Sequence, residues 1–486
     1  MGAIAAAVNK KGENAVPKVV AMLKELTHRG VDAHGVATPT SAATAKSIKE
    51  IAIKNISSSV ALGHNLSRIL LRDRPQPVQG EGFTLVFEGR FFPSSGVCEA
   101  DEAKERLKPD PRRNAGHVIE KLEGSYVFAI ACPNKIIAGR DTLGTNPFYY
   151  GENETICALA SERKALWALG IKNAKSFPPG NVAVANTQGF SFKPIKTLVR
   201  PPSENADMET AARRLQILLL KSTRKRVSDL EKVAVAFSGG LDSSVIAVLA
   251  KMCGIHVQLV SVGLEDQPEV RFAETAAEAL GLPLHLKTYT ERDVERVLPK
   301  VLWLIEEPDP LKVSIAIPFF WTAESASKLG YNVLLAGQGG DELFGGYQKY
   351  LREYAQSGVE AVQNVMYRDV AMSHEKNFQR DNQVCSFHNV ELRLPFVDRD
   401  VVHFSLSLPL SLKIESSEDR LRKRVLRRVA QNLGMTLLIA NKTKKAIQYA
   451  TGVNKAIQRL ARREGSTSRE YVEKIFRRVY PASEVL

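Results

Sequence analysis

Val233-Ala234-Val235-Ala236-Phe237-Ser238-Gly239-Gly240-Leu241-Asp242-Ser243-Ser244 decides how the second half of the chain folds. Its first five residues are continuously apolar and of strand length, the pattern of a strand covered on both faces of a parallel sheet. Two glycines then turn the chain into a helix expected from about Asp242 to Met252. Glycine permits the sharp turn and lets backbone N–H groups approach an anion with no Cβ in the way. The helix aims its positive end at the same place, and Ser238, Ser243 and Ser244 add hydroxyls. Such a loop suits a phosphate. Asp242 fits beside an anion if it holds Mg2+ bridged to phosphate oxygens. The Walker spacing of glycines followed by Lys and Ser or Thr is absent, so a P-loop is not indicated.

Outward from this stretch, strands alternate with helices. Helices are expected over 211–228 and 269–280, and strands over 257–262, near Leu284 and over 333–336. That alternation means a parallel sheet covered on both faces, with a mostly helical pattern after residue 345. Ala336-Gly337-Gln338-Gly339-Gly340-Asp341-Glu342-Leu343-Phe344-Gly345-Gly346-Tyr347 also follows a buried strand. So many glycines imply backbone packed close to a ligand or another segment. Asp341 is the expected partner of Asp242 at Mg2+, since two carboxylates plus ATP oxygens suit that ion.

Residues 1–200 read differently. Short alternating runs at 84–87, 126–131, 135–138 and 181–185 are expected strands, and 16–26 and 115–122 expected helices. Val199-Arg200-Pro201-Pro202-Ser203 marks a linker. The chain of 486 residues is too long for one ordinary core. No run is long enough for a membrane helix, and the apolar start reads as a first strand rather than a secretory signal. Five scattered cysteines form no CxxC, so disulfides and zinc are not expected and a cytoplasmic setting is the default. The net charge of +14 is concentrated from Arg420 onward, where seventeen Lys plus Arg face four Glu. Such a segment holds pyrophosphate, contacts RNA or is a solvated helical surface.

The loop at 237–244 resembles that of the ATP pyrophosphatase superfamily. With the 336–347 segment it resembles the synthetase domain of glutamine-dependent asparagine synthetases. Glu391-Leu392-Arg393-Leu394-Pro395-Phe396-Val397-Asp398, Arg380-Asp381 before it, and Lys444-Lys445-Ala446-Ile447-Gln448-Tyr449 match further family segments in order. The first half resembles a class II glutamine amidotransferase. The matches are His28-Arg29-Gly30-Val31-Asp32, Gly63-His64, Gln76-Pro77, Gly124 to Ala129, Gly139 to Gly151, Ala160-Ser161-Glu162 and Pro178-Pro179-Gly180. The resemblance implies two domains. Residues 1–200 would form an N-terminal-nucleophile αββα sandwich. Residues 207–486 would form an ATP pyrophosphatase parallel-sheet domain, adenine nucleotide α-hydrolase-like. It implies ATP and Mg2+ as cofactors. ATP would bind at Phe237, Ser238, Gly239, Gly240, Leu241, Asp242, Ser243, Ser244, Ala336 and Gly337, with Val262 and Gly263 beside adenine. Lys444 or Lys445 would neutralise pyrophosphate, and Gln338 would stand by the reacting carbonyl.

Two departures bear on chemistry. Gly2 stands where the amidotransferase nucleophile, a cysteine, belongs, and Glu88-Gly89-Arg90 replaces the segment that supplies the oxyanion hole. Glutamine hydrolysis is therefore not expected. Glu88 and Arg90 would by default form an exposed salt bridge. Gln338 replaces the family's Glu and cannot accept a proton from attacking ammonia. The expected reaction is adenylation of a carboxylate, most simply aspartate, followed by attack of ammonia. Three other readings stay open. One is a different amide or lactam ligase, with Tyr347 and a nearby Glu as base. Another is an enzyme adenylating a base in RNA, and the last a non-catalytic binding protein. Small carboxylate and amine substrates, no membrane and a homodimer are the expected partners.

Overall fold

The computed structural model describes residues 2–53, 56–265 and 267–481. The chain divides into two compact units, one running to Leu198 and the other spanning Val199–Tyr480.

Among the described residues, two antiparallel sheets stack in the first unit. One runs Lys175–Ser176, Tyr149–Glu152, Ile156–Ala160, Gly2–Asn9, Val60–Leu66, Ala33–Ala37 and Ala42–Ala45. The other runs Gly189–Pro194, Asn181–Asn186, Lys135–Arg140, Gly124–Cys132, Thr84–Phe91 and Val78–Gln79. The two-residue period of Gly2–Asn9 sets the layers. Ala3, Ala5 and Ala7 pack with Val16, Val19 and Leu23 of the helix Val16–Glu25. Ile4, Ala6 and Val8 face Val86, Val127, Ala129 and Ala138 of the other sheet. That sheet's outer face packs on Ala103, Leu107, Val118 and Ile119 of the helices Glu99–Leu107 and Pro111–Lys121. The result is an αββα sandwich.

Two elements run longer than their sequence pattern. The strand expected at 84–87 continues to Phe91. Glu88 and Arg90 break the apolar run, but both are buried and paired. The helix expected from residue 115 starts at Pro111, because Asp110 accepts from the N–H groups of Arg112 and Arg113.

In the second unit the sheet is parallel, in the order Leu284–Tyr289, His256–Leu264, Lys232–Ala236, Val333–Leu335, Glu391–Arg393. From Lys232–Ala236 the chain moves first to one side, then returns to the other. The strand order thus reverses between Lys232–Ala236 and Val333–Leu335, where a doubly wound sheet opens a crevice at its carboxyl edge. Both glycine-rich segments leave the sheet there. The short strand Glu391–Arg393 has no sequence-level signal of its own; Arg393 is held by Glu391 and Asp229. No helix among the described residues is long and apolar enough to cross a membrane. All five cysteines are free.

Candidate functional site

The loop after Lys232–Ala236 is fixed by its own serines. Ser243 Oγ accepts from the Ser238 N–H (3.3 Å) and donates to the Gly240 carbonyl (3.1 Å). Gly239 has φ +68°, and a Cβ there would meet Phe272 at 2.9 Å. Gly240 caps the helix Leu241–Met252, which carries Asp242 in its first turn. The neighbouring loop brings Asp341 in the first turn of the helix Gly340–Phe344. Its glycines are spaces for these acids. A Cβ on Gly337 would lie 2.9 Å from Asp242 Cβ, and one on Gly340 3.0 Å from Asp242 Cγ. A Cβ on Gly346 would fall 2.0 Å from Asp341 Oδ1 and 2.5 Å from Lys423 Cε.

Lys423 joins the two carboxylates. Its Nζ lies 2.5 Å from Asp242 Oδ2 and 2.6 Å from Asp341 Oδ1. Only 2% of the Lys423 side chain is exposed. Burial works to lower its pKa, but Asp242 and Asp341 outweigh it and raise the ammonium above its ordinary value. Burial likewise opposes the charge on Asp341, yet Lys423 and Lys444 hold that carboxyl well below the usual range. Lys444 Nζ reaches Asp341 Oδ2 at 2.9 Å, whereas Lys445 turns to Glu269 Oε1 at 2.5 Å. Buried Arg427 ties the two lysine-bearing loops together. It donates to the carbonyls of Leu421, Arg422 (2.7 Å), Ala440 (2.5 Å) and Lys442 (3.1 Å). Asp242 Oδ1 is buried and takes no hydrogen bond. Carboxylate oxygens are the hard donors that Mg2+ takes, so Asp242 and Asp341 are the residues here that could hold one.

On the same loop, Gln338 donates its amide to Asp381, whose other oxygen accepts from Arg380 Nε at 2.8 Å. Burial raises the Asp381 carboxyl despite Arg380 and Gln338. Glu342 accepts from Tyr347 Oη at 2.6 Å and from Asn377 Nδ2 at 2.7 Å. Burial, then Asp341, raises Glu342; burial, then Glu342, raises Tyr347. Val262 and Gly263 lie at the carboxyl end of His256–Leu264, and Phe237 N–H donates to the Val260 carbonyl at 2.9 Å. Ala336 N–H donates to the Arg393 carbonyl at 3.2 Å. Glu307, in a Pro-flanked acidic loop, is paired with Lys312, and Asp309 caps the helix Pro310–Lys328.

Lys423 and Arg427 are the residues that sequence reading missed. Both stand in the basic segment counted as a charge run, yet both are buried. The face exposed by that segment carries instead Lys455, Arg462, Arg477 and Arg478, while Arg459 and Arg463 pair with Glu291.

In the first unit, Gly2 N–H donates to Glu88 Oε1 at 2.7 Å, and Arg29 Nε donates to the Gly2 carbonyl at 2.9 Å. Burial would raise the Glu88 carboxyl, but nearby positive charge, Arg29's included, and the His64 ring beside it bring it down to about 2. Glu88 and Arg90 are both buried, so they form no exposed surface pair. Arg90 is buried and forks onto Asp73 at 2.5 and 2.8 Å, with Glu99 at 2.9 Å. His64, Asp73, Glu88, Arg90, Cys98 and Glu99 line a small cavity. Cys98 thus lines the same cavity as Glu88.

The asparagine synthase family model matches residues 214–359 and 352–483. A glutamine amidotransferase domain model matches residues 105–168. A protein of Methanocaldococcus jannaschii named for a glutamine-hydrolysing asparagine synthetase is 29% identical, with 99% of each chain covered. Glutamine-hydrolysing asparagine synthetases of Triphysaria versicolor and Arabidopsis thaliana are each 28% identical over 64% of this chain, and the match spans about half, 54%, of their length. Among solved structures, glutamine phosphoribosylpyrophosphate amidotransferase of B. subtilis, complexed with ADP and GMP, is 17% identical at a TM-score of 0.35, covering 59% of this chain and 81% of that one.

Proposed function

The chain belongs to the asparagine synthase family, and from that premise we propose that it activates a carboxylate with ATP as an acyl-adenylate and joins it to an amine. The simplest pair is aspartate with free ammonia, giving asparagine, AMP and pyrophosphate. The observation that carries this reading is the convergence of Asp242 and Asp341, from adjacent loops of the parallel sheet, on Lys423 and Lys444.

The triphosphate lies along Ser238 to Ser244, where backbone N–H groups and the helix end oppose its charge. The substrate carboxylate attacks the α-phosphorus, and the α–β bridge bond breaks. Lys423 and Lys444 are placed to balance the charge gathering on departing pyrophosphate, and this electrostatic work is the main catalytic contribution. Mg2+, held by Asp242 and Asp341, supplies further charge neutralisation when bound. Gln338 orients the adenylate by its amide. Asp381, bonded to that amide, is the carboxylate placed to take the proton released when the amine attacks.

The first unit is proposed to hydrolyse no glutamine. Gly2 offers no nucleophile, and Glu88 would repel an oxyanion. Pyrophosphate release should be measured with ATP, Mg2+ and a panel of carboxylates, adding ammonia, glutamine or neither. Aspartate- and ammonia-dependent release is expected. No release with any carboxylate would sink the adenylation reading, and glutamine-supported release abolished by Cys98→Ala would sink the silent-glutaminase reading.

The part-buried Tyr347–Glu342 hydrogen bond favours one second reading, a ligase closing a ring with an amine carried by the substrate itself. Release with an amino-bearing carboxylate in the absence of ammonia would separate the two.

A further inference from the structure

Lys423 occupies the position between the two metal-ligand candidates. It reaches them from the N-cap position of the helix Arg424–Asn432. It holds a left-handed backbone (φ +56°) to do so, which costs energy for a residue with a Cβ. Gly346 leaves the space its stem passes through. The conformation is locked by the carbonyl contacts of Arg427. The placement is thus specified at several points and is not a surface lysine folded onto the nearest acid.

Its effect on charge is direct. Asp242 and Asp341 contribute two negative charges, and Lys423 and Lys444 two positive ones. The cluster is balanced by the protein's own residues. A divalent ion needs about six oxygen ligands, and among the described residues no group of three or more His, Cys, Asp or Glu gathers as a metal cage. The protein alone therefore offers a metal two carboxylates whose charge is already compensated. ATP changes both terms. Its phosphates bring several negative charges that give the two ammoniums new partners, and they supply further oxygens.

We infer that Lys423 is a resident cation that makes divalent-metal binding conditional on the nucleotide. In the nucleotide-free protein it keeps the buried carboxylates together and compensated. When the triphosphate enters, the ammonium turns to phosphate oxygens and the carboxylates become available to the ion that arrives with it. Metal and nucleotide then strengthen each other's binding by the same factor, as linkage requires. The inference deepens the adenylation reading and rests on it.

The test is a Mn2+ titration of the full chain, followed by the EPR signal of free Mn2+, with and without α,β-methylene-ATP, which cannot be cleaved at the α–β bond. For the natural protein, Mn2+ is expected to bind at least about tenfold more weakly without the analogue. In Lys423→Met the nucleotide-free affinity is expected to rise at least about tenfold, and the effect of the analogue to shrink. Mn2+ alone should then raise the melting temperature of Lys423→Met and leave that of the natural protein unchanged. Lys444→Met keeps the buried cation and removes the more exposed one; a smaller rise, roughly threefold, is expected. Equal Mn2+ affinity with and without the analogue in the natural protein would overturn the inference while leaving adenylation standing. So would unchanged nucleotide-free affinity in both variants. Failure of the natural protein to bind the analogue with Mn2+ present would overturn the adenylation reading itself.

Discussion

Gly2→Cys returns a thiol to the position where the amidotransferase fold carries its nucleophile, and it is expected to restore nothing. A Cβ at residue 2 would lie 1.9 Å from the Asn65 carbonyl oxygen and 3.1 Å from His64 Cε1, against an ordinary contact of 3.4 Å. The obstacle is backbone, in the strand Val60–Leu66, whose register sets Gly2 opposite Leu66 and Ala3 opposite Asn65. The two strands must part by about 1.5 Å at this end. Overpacking of this kind costs about 1–3 kcal/mol. Moving Gly2 also strains its buried bonds to Glu88 and Arg29, each a charge-assisted contact of about 1.5–3 kcal/mol. A total loss of about 2–5 kcal/mol follows, which for a unit of this size is a fall of roughly 5–15 °C in melting temperature. Gly2→Ala carries the same Cβ without the thiol and is expected to lose nearly as much. The assays are calorimetric melting and ammonia release from glutamine by coupled reduction. A Gly2→Cys protein that melts with the natural one and releases ammonia from glutamine would refute both the steric and the chemical argument.

Asp242→Asn should lower ATP- and carboxylate-dependent pyrophosphate release by on the order of a hundredfold or more, since it removes half of the carboxylate pair; retained turnover would remove its assigned role. Arg427→Met should release the loops holding Lys423 and Lys444, cutting pyrophosphate release by roughly tenfold or more while the first unit's melting stays unchanged. For Glu88, the folded carboxyl at about 2 lies below its ordinary 4.5. Its depressed pKa makes its stabilisation complete above about pH 4.5 and progressively lost as pH falls toward 2. That window is worth about 3 kcal/mol, so urea midpoints should drop steeply between pH 5 and 2, and Glu88→Gln should flatten the slope. Pyrophosphate release is expected to be indifferent to added tRNA; a salt-sensitive dependence on tRNA would instead give the exposed Lys455, Arg462, Arg477 and Arg478 a nucleic-acid partner.

Reading order along the chain was enough for the second unit's sheet except its edge strand Glu391–Arg393, because a continuous apolar run followed by Ser-Gly-Gly has few other folds open to it. It also brought Asp242 and Asp341 to one crevice, since both follow buried strands and parallel strands deliver their loops to one edge. Lys423 was not legible for a physical reason. Its neighbours Arg420, Arg422 and Arg424 make it one charge in a run, and a run carries no mark of which member turns inward. What turns it inward is a left-handed backbone, a gap left by Gly346 and the carbonyl grip of Arg427, none of them local in sequence. The same limit explains Glu88 and Arg90. As a pair they read as a surface bridge, but strand alternation does not tell that Asp73 and Glu99 wait to take the arginine. Glu88 is then left to meet the N–H of Gly2. On the readings proposed above, the first unit sets its own charges around Gly2, and the second closes its proposed metal site with a lysine. In both, a charged group of the chain stands where a reactant would, but only the lysine has somewhere else to go when the phosphates arrive.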